Sequence, residues 1–562
     1  MAKSVVFQEV WPMRPWIMAA VGAIAGLIFW FLVDMPGAGD PPAIRQAAAA
    51  FVIVATGSLL MTADRLRLGW AAAFALVWGA IIGMIGFYTA TYNFGGEIVE
   101  FPFLSALLAV GIAGPLFQVV RDRGRPELPY APLHRYVWDD AIVGAASLAF
   151  TGLTFLLSFL LAQLFNAIGI SLFKDLLEEG WFMWMLAGSA FGAASAILRE
   201  RAPLLATLQR LVTVIISVLA PVCAVALVLF LVALPATGFA GLWKSGVPET
   251  PLLLAVAAFA FIFLNAIIGE SPEDRSQGKL WRFTEIGLLA SVLPLGVLAL
   301  VSMSMRVDQY GWTPERLWGV IACLVAIAFG IANWAAYALG RSNFDVRLRD
   351  YQKKLAVGVC GLALLLAMPI LDFGKISTRS QLAKLESGKI AADKFDWAAL
   401  KYDFGPAGRA ALDRYAKNGT GDAKKLAMQT LQLDSRYEIG RAVDVEHRAD
   451  TLESRIEVAS SDIVLTEGLR RNIANMRDCG GYARCKLFRL DEHRLILLVA
   501  AGVPQTLDRL IIDERETKGI AERNYPQPDA RNLDFAKLQI EVRDVPTKQV
   551  YVNGQAVGAP FE

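Results

Sequence analysis

The stretch WIMAAVGAIAGLIFWFLV, from Trp16 to Val33, decides how the rest of this sequence is interpreted. It holds no charged residue, and a helix of this length is about 27 Å long, close to the thickness of the hydrocarbon core of a bilayer. A polar segment, MAKSVVFQEVWPMRP, precedes it, and no small-residue cleavage pattern follows a short apolar core. The stretch therefore predicts a retained transmembrane helix rather than a cleaved signal peptide.

Similar apolar runs recur along the chain as far as residue 372. The 562 residues are 55% hydrophobic, with a mean hydropathy of +0.45. The runs predict a membrane all-α helical bundle of about eleven transmembrane helices over residues 1–372. The predicted spans are Trp16–Val33, Ile44–Thr62, Gly69–Ala90, Phe101–Val120, Ala141–Leu164, Trp181–Leu198, Leu204–Leu234, Pro251–Ile268, Phe283–Met305, Leu317–Leu339 and Leu355–Leu371.

Lysine and arginine predict the orientation of these spans. With the N-terminus inside, the segments on the inner side carry 19 Lys and Arg, whereas the outer connectors carry 5. Cytoplasmic loops of membrane proteins are enriched in these residues, so the N-terminus is expected in the cytoplasm. An odd number of spans then puts the C-terminal segment on the other side of the membrane. The five outer residues are Arg45, Lys174, Lys244, Arg306 and Arg316.

Residues 373–562 contain no run that could span a bilayer and predict a soluble α+β domain. From Asp372 onward the chain holds 30 Lys and Arg against 29 Asp and Glu, a balance that argues against a nucleic-acid-binding tail. Residues 376–475 have helical periodicity, and residues 485–560 have strand character. Two hairpins are predicted, CKLFRL with RLILLVA and the two arms around Asn553–Gly554, and LQIEVRDV is a further strand.

The segment CGGYARC carries the two cysteines of this soluble domain, Cys479 and Cys485. Five intervening residues, two of them glycine, allow the chain to fold back on itself. Outside the cytoplasm a disulfide is favoured over two free thiols. A metal site would need further ligands, and only His493 is close in sequence, so no metal is expected.

The predicted spans hold few ionisable residues away from their ends. Proton-coupled pumps usually place acids or histidines at mid-membrane, so the intramembrane candidates here are amides, chiefly Asn265 and Asn333. Interhelical hydrogen bonding is the simpler role for them, and a substrate site is the alternative. The pairs Gly22/Gly26, Gly79/Gly83 and Gly188/Gly192 have GxxxG spacing and predict close helix packing.

A polar connector, RVDQYGWTPERLW, lies between the ninth and tenth predicted spans, from Arg306 to Trp318. Its second half is explained by the start of a helix. Thr313 is a suitable N-cap, Pro314 a suitable first residue, and Glu315 lies in the first turn, where the helix dipole favours an acid.

The first half of the connector has no such explanation, because nothing in helix formation requires an arginine or a tyrosine there. Arg306, Asp308, Tyr310 and Arg316 are therefore the candidate ligand-binding residues, with an anionic lipid or envelope component as the expected ligand. A structural salt-bridge network is the alternative. Its predicted partners are acids of SLFKDLLEEGW, an amphipathic segment at residues 171–181, together with Glu97 and Glu100.

The connector resembles the Arg–x₃–Tyr–Gly–x–Thr–Pro–x–Arg segment of a bacterial family of multi-pass membrane proteins, catalogued as domain of unknown function 4153. The stretch KISTRSQLAKLESGKIAADKFDWAALKYDFG, Lys375–Gly405, resembles the start of that family's soluble region. The resemblance covers most of the chain from about residue 10. It implies a Gram-negative inner membrane protein, in which the predicted orientation would put the C-terminal domain in the periplasm, and it supplies no reaction, substrate or catalytic residue.

Two classes of function remain open. The first is a non-enzymatic protein of the cell envelope, either a transporter or an assembly or sensing scaffold. The second is a membrane-embedded enzyme that acts on a lipid-linked substrate at the outer face. The sequence has three histidines and lacks a P-loop, a G-x-S-x-G and an H-E-x-x-H motif, which favours the first class. No catalytic residue or cofactor is assigned; membrane lipids are the expected partners, and the oligomeric state stays open.

Overall fold

The structure is a computed structural model, and it describes only part of the chain. The described residues are 11–35, 41–91, 97–238, 248–273, 275, 278–450, 452–454, 456–460, 462–475, 479, 485–490, 492–501, 506–513, 520–522, 548–552 and 555–561.

The described residues up to Glu386 lie mainly in helices. Their bounds are α1 Arg14–Val33, α2 Ala43–Thr62, α3 Leu68–Thr91, α4 Glu97–Arg123, α5 Tyr130–Ala167, α6 Leu172–Glu178, α7 Gly180–Glu200, α8 Ala202–Thr237, α9 Glu249–Ile268, α10 Lys279–Tyr310, α11 Pro314–Gly340, α12 Phe344–Ala367 and α13 Phe373–Glu386. Within the described ranges, ten of these are long and apolar enough to cross a membrane, namely α1–α5 and α7–α11. This is the organisation of a multi-pass membrane protein.

The eleventh predicted span falls on α12, which differs from the other ten helices. Its first eleven residues include six charged side chains, and its apolar part runs from Leu355 to Ala367, a rise of about 20 Å. The prediction extended this span to Leu371, but the helix ends at Ala367 because Met368 precedes Pro369 and adopts an extended conformation (ψ 147°).

Both ends of α12 are nevertheless positioned by contacts with spans. At its start, Asp345 forms an ion pair with Arg275, in the segment that leads into α10. At its end, Ala363 and Ala367 pack in a buried cluster with residues of α2, α3 and α4 such as Ile82 and Ala109. The chain that follows, α13, contacts the far end of α10.

Two of the predicted glycine pairs pack against each other. An added Cβ on Gly22 would lie 2.0 Å from the carbonyl oxygen of Gly188, and one on Gly192 would lie 2.2 Å from that of Met18. Helices α1 and α7 therefore touch along their backbones, which only glycine allows. Gly79 and Gly83 of α3 approach α2 less closely, since an added Cβ on either would lie 3.1 or 3.2 Å from the nearest atom of Phe51.

A proline inside α10 leaves one backbone carbonyl without its helical donor, and the indole of a tryptophan in α11 donates to that carbonyl instead. Pro294 has no N–H, so the carbonyl four residues earlier, that of Ala290, loses its helical donor. Trp334 supplies a replacement, because its Nε1–H donates to Ala290 O at 3.2 Å. The interior around α8–α12 is otherwise apolar, with Leu264, Leu288 and Leu295 fully buried.

The chain divides into two compact units. The first comprises Met1–Lys384 with Tyr402–Arg409, and the second comprises Leu385–Lys401 with Ala410–Glu562. The sequence suggested a boundary at residue 372, whereas most of α13 belongs to the first unit.

The second unit is α+β. Its helices and strands are α14 Trp397–Tyr402, α15 Gly405–Asn418, α16 Gly421–Gln432, α17 Arg436–Asp450, β1 Ile456–Val458, α18 Glu467–Asn475, β2 Cys485–Arg489, β3 Arg494–Ala501, β4 Thr506–Asp513, β5 Ile520–Glu522, β6 Lys548–Val552 and β7 Gln555–Phe561. Helix α14 ends in the first unit, and α15 begins there. Strands β1 to β5 form one sheet in chain order, with β1 parallel to β2 and the other pairs antiparallel.

Alternate residues of β3 (Leu495, Leu497 and Val499) are fully buried and form the core of the sheet. The predicted hairpin of CKLFRL with RLILLVA is confirmed by β2 and β3. The arms of the second hairpin pair as β6 and β7, although Asn553 and Gly554 themselves, like LQIEVRDV, lie outside the described residues. The predicted disulfide joins Cys479 to Cys485, and both cysteines are buried in the core of this sheet.

Candidate functional site

The connector between α10 and α11 has the local structure that its second half predicts. Helix α10 ends at Tyr310, and Gly311 has a φ of +81°, a left-handed conformation that favours glycine. Thr313 is the N-cap of α11, and its hydroxyl accepts a hydrogen bond from the N–H of Arg316 at 3.3 Å. Pro314 is the first helical residue. The connector is therefore a tight turn between two antiparallel helices.

Arg306 forms an ion pair with Glu249, the first residue of α9. The Nη2 to Oε2 distance is 2.6 Å, and the side chain of Glu249 is only 9% exposed, whereas that of Arg306 is 44% exposed. One turn before Arg306, Ser302 accepts a hydrogen bond from Thr250 at 3.0 Å, and both residues are buried. Two adjacent polar contacts thus tie the connector end of α10 to the start of α9.

This partner differs from the predicted acidic rim. The side chain of Glu97 lies outside the described residues, and the acids of α6 and Glu100 form no described ion pair with Arg306. Glu249 is not among the predicted partners, because it precedes the predicted span Pro251–Ile268 by two residues. The segment PETP does indicate the start of a helix, because an acid is favoured in the first turn by the helix dipole, but it does not indicate which cation pairs with that acid.

Tyr310 and Arg316 contact each other across the turn. The guanidinium of Arg316 lies over the Tyr310 ring, 5.4 Å from its centroid, and its Nη1 donates to the carbonyl of Gly311 at 2.6 Å. The side chain of Asp308 is exposed. The four predicted site residues therefore occupy one connector, but Arg306 is directed to Glu249, and Tyr310 and Arg316 form a separate pair.

Helix α13 binds the end of α10 through backbone groups. A helix C-terminus leaves carbonyl groups without donors and carries partial negative charge, so donors and a cation are favourable there. Gln381 and Lys384 of α13 supply them, and Ser380 accepts a further bond from the backbone. The bonds run from Gln381 Nε2 to the carbonyls of Tyr310 (2.9 Å) and Trp312 (3.0 Å), from Trp312 N–H to Ser380 Oγ (3.1 Å), and from Lys384 Nζ to the carbonyls of Asp308 (2.8 Å) and Gln309 (3.0 Å).

A cavity of about 130 Å³ lies beside the connector. Trp318, at the end of the connector, stands in its wall between Phe101 (ring centroids 5.8 Å apart) and Phe373 (5.6 Å apart). The remaining lining comes from α3, α4, the start of α11, the end of α12, the start of α13 and the start of α15. These residues are Ile85, Tyr88, Thr89, Pro102, Pro314, Leu366, Ala367, Met368, Pro369, Leu371, Asp372, Gly374 and Pro406.

The two intramembrane asparagines have different surroundings. Asn265 accepts a hydrogen bond from the hydroxyl of Tyr130 at 3.2 Å and donates to the carbonyl of Phe261 at 2.8 Å. Its contact with Tyr130 joins α9 to α5. Asn333 is fully buried, and among the described residues neither its Nδ2 nor its Oδ1 has a hydrogen-bond partner.

A second polar cluster lies at the opposite end of α10 and was not identified from sequence. Arg275 binds Glu285 (2.6 Å) and Asp345 (3.3 Å), and Arg349 binds Asp345 (2.7 Å). Hydrogen bonds to Glu285 raise the pKa of Arg275 above its ordinary value. Arg349 also donates to the carbonyl of Ile268 at 2.8 Å, at the end of α9. Among the described residues, two acids thus balance two arginines in a network that joins the end of α9, the start of α10 and the start of α12.

The geometry at the connector is that of an attachment site for a helix, with a small cavity next to it. Within the described ranges, no group of three or more His, Cys, Asp or Glu is placed to hold a metal ion. The carboxylate of Asp372 is the acidic group in the cavity lining, and one of its oxygens accepts the N–H of Lys375 at 2.8 Å.

A family model described as Domain of unknown function (DUF4153) matches residues 18–415 of the chain. This match covers both ends of the connector and all of α13. No curated protein and no solved structure matches the chain.

Proposed function

The chain belongs to the family of domain of unknown function 4153, and from this premise we propose that it is a scaffold of the bacterial cell envelope, used in assembly, sensing or transport. In this proposal eleven helices cross the cytoplasmic membrane, the N-terminus lies in the cytoplasm, and the disulfide-bonded C-terminal domain lies in the periplasm.

The orientation is supported by the excess of Lys and Arg on one side of the predicted spans. The eleventh crossing is supported by the contacts of α12. It begins at the Arg275–Asp345 ion pair, and the helix after it binds the connector at the other end of α10. Helix α10 rises about 38 Å between Glu285 and Tyr310, so α12 and the residues after it cover a similar length.

The observation that carries the scaffold role is the attachment of α13 to the connector. Three side chains of α13 bind backbone groups of residues 308–312. The helix that leads into the second unit is thereby held to the membrane bundle by five hydrogen bonds. Residues 380–384 belong to the first unit, so this attachment adds a fixed helix to the bundle, and a fixed surface element of this kind is what a scaffold requires.

One observation favours the second candidate, a membrane-embedded enzyme acting on a lipid-linked substrate. The cavity beside the connector has a carboxylate, that of Asp372, in its lining. General acid–base chemistry needs a positioned group that can donate or accept a proton. Here the carboxylate would supply that group, and the apolar cavity would hold the amphiphile.

Complementation of a deletion strain distinguishes the two candidates, with growth under detergent and osmotic stress as the measurement. A scaffold requires both units, so a chain ending after Lys384 fails, whereas the full chain with Asp372→Asn or Asp308→Asn complements. Asparagine retains the N-cap of α13, so Asp372→Asn tests the acid alone. Loss of function in Asp372→Asn at normal protein level, with the truncated chain still active, would establish the enzyme instead.

A further inference from the structure

The cavity beside the connector is lined mainly by apolar groups, and it lies where the spans end. Its walls include Ile85, Leu366 and Met368, and the aromatic rings of Trp318 and Phe373 close one side. Tryptophan at the end of a span is typical of the headgroup level of a bilayer. We propose that this cavity binds one acyl chain of a zwitterionic aminophospholipid, a binding role that goes beyond the scaffold function and does not depend on it.

The size of the cavity suits a segment of an alkyl chain. At about 130 Å³ it is close to an engineered apolar cavity of about 150 Å³ that binds benzene. Apolar side chains continue outward from it along the link between α12 and α13. Ile370 is 65% exposed, and Leu371 and Ile376 are each 45% exposed, so an amphiphile seated in the cavity would cover side chains that otherwise face water or headgroups.

Charge complementarity selects the headgroup. Asp372 lines the cavity and is exposed, and Lys375, one turn later in α13, is also exposed. The two side chains present a negative and a positive charge on one helical turn. An ammonium group is attracted to the first and a phosphate to the second, which matches phosphoethanolamine better than the purely anionic phosphoglycerol.

Photolabelling of the full-length protein in nanodiscs tests this assignment. The probes are phosphatidylethanolamine and phosphatidylglycerol that carry a diazirine on one acyl chain, with labelled peptides mapped by mass spectrometry. We expect phosphatidylethanolamine to label peptides containing Trp318 and Met368 at least about five-fold more than the lipid-facing peptide around Leu157 of α5, a factor typical of one specific contact.

Two variants fill the cavity from different helices, Ala367→Phe and Thr89→Phe, and each should abolish the enrichment. Leu365→Phe is the matched control, because Leu365 lies on the same helix as Ala367, is 41% exposed and does not line the cavity. Asp372→Asn keeps the helix cap and should bring labelling by the two lipids to the same level. Equal labelling of wild type by both lipids, or enrichment that survives both cavity-filling variants, would overturn the proposal.

Discussion

A Cβ atom on Gly188 would lie 2.0 Å from the carbonyl oxygen of Gly22, a distance at which the α1 and α7 backbones must separate. We expect Gly188→Leu to lower the free energy of unfolding by about 3 kcal/mol or more, since overpacking against backbone has no flexible side chain to absorb it. Scanning fluorimetry in detergent measures the change. Gly152→Leu on α5 is the matched control, because nothing lies within 4 Å of its added Cβ. Equal stability of the two variants would show that the α1–α7 contact is not this close.

The described ion pair of Arg306 is with one buried acid, Glu249, so the contribution of this pair to stability can be measured. Arg306→Ala leaves Glu249 without its cation in a site where that side chain is 9% exposed. Because Arg306 is itself 44% exposed, the expected loss is modest, about 1 kcal/mol. We also expect α13 to become more accessible to protease, since the ion pair holds the end of α10 to which α13 binds.

Two further variants separate this effect from general destabilisation. In a Glu249→Gln background the carboxylate is gone, so the added Arg306→Ala change should cost much less. Glu315→Gln removes an acid that the dipole of α11 favours in its first turn, and it should reduce stability slightly without exposing α13. If Arg306→Ala leaves both the function in complementation and the protease protection of α13 unchanged, Arg306 is an ordinary interfacial anchor.

At the scale of elements, Trp334 of α11 supplies the hydrogen bond that Pro294 removes from α10. Trp334→Phe removes the donor to the Ala290 carbonyl, and we expect a loss of about 1 kcal/mol, the range found for polar contacts between membrane helices. In a Pro294→Ala background the backbone N–H of residue 294 returns, so the same Trp334 change should cost little. A loss that is independent of Pro294 would mean that Trp334 contributes by packing alone.

The disulfide between Cys479 and Cys485 closes a short loop inside the core of the β-sheet unit. We expect oxidised cysteines in protein purified without reductant, and mass spectrometry of non-reduced peptides is the measurement. The double variant Cys479→Ser with Cys485→Ser should lower the free energy of unfolding by about 2 kcal/mol. The loss is modest because a disulfide that closes a short loop removes little conformational entropy from the unfolded chain. Alkylation of both thiols in the untreated protein would contradict this.

Local features of the connector could be predicted from sequence, whereas its partners could not. Thr313 and Pro314 act within one turn of chain, and the structure places them as predicted. Glu249 is 57 residues from Arg306, and α13 is about 70 residues from the turn that it binds. Contacts between residues this far apart in sequence depend on which helices pack together. In apolar spans that choice is set by the fit of side-chain shapes, which a single sequence does not reveal for these partners.

At the scale of the whole molecule, several arginines counted for the orientation are used in ion pairs at the same end of the bundle. Arg14 pairs with Glu200, Arg199 with Asp140, and Arg275 with Glu285. The positive-inside rule counts Lys and Arg and is little affected by acids, so these ion pairs do not change the predicted orientation. The pairs add a second role, because they join helices that are distant in sequence.

The orientation and the eleventh crossing can be tested together, because two fusion points flank the apolar part of α12. Alkaline phosphatase is active only outside the cytoplasm, where its disulfides form. With the N-terminus inside and α12 crossing the membrane, a fusion after Lys354 should be inactive and one after Ser380 active. β-Galactosidase fused at the same points should give the opposite pattern and controls for expression. Two inactive phosphatase fusions would mean that α12 does not cross, and activity at Lys354 alone would reverse the whole topology.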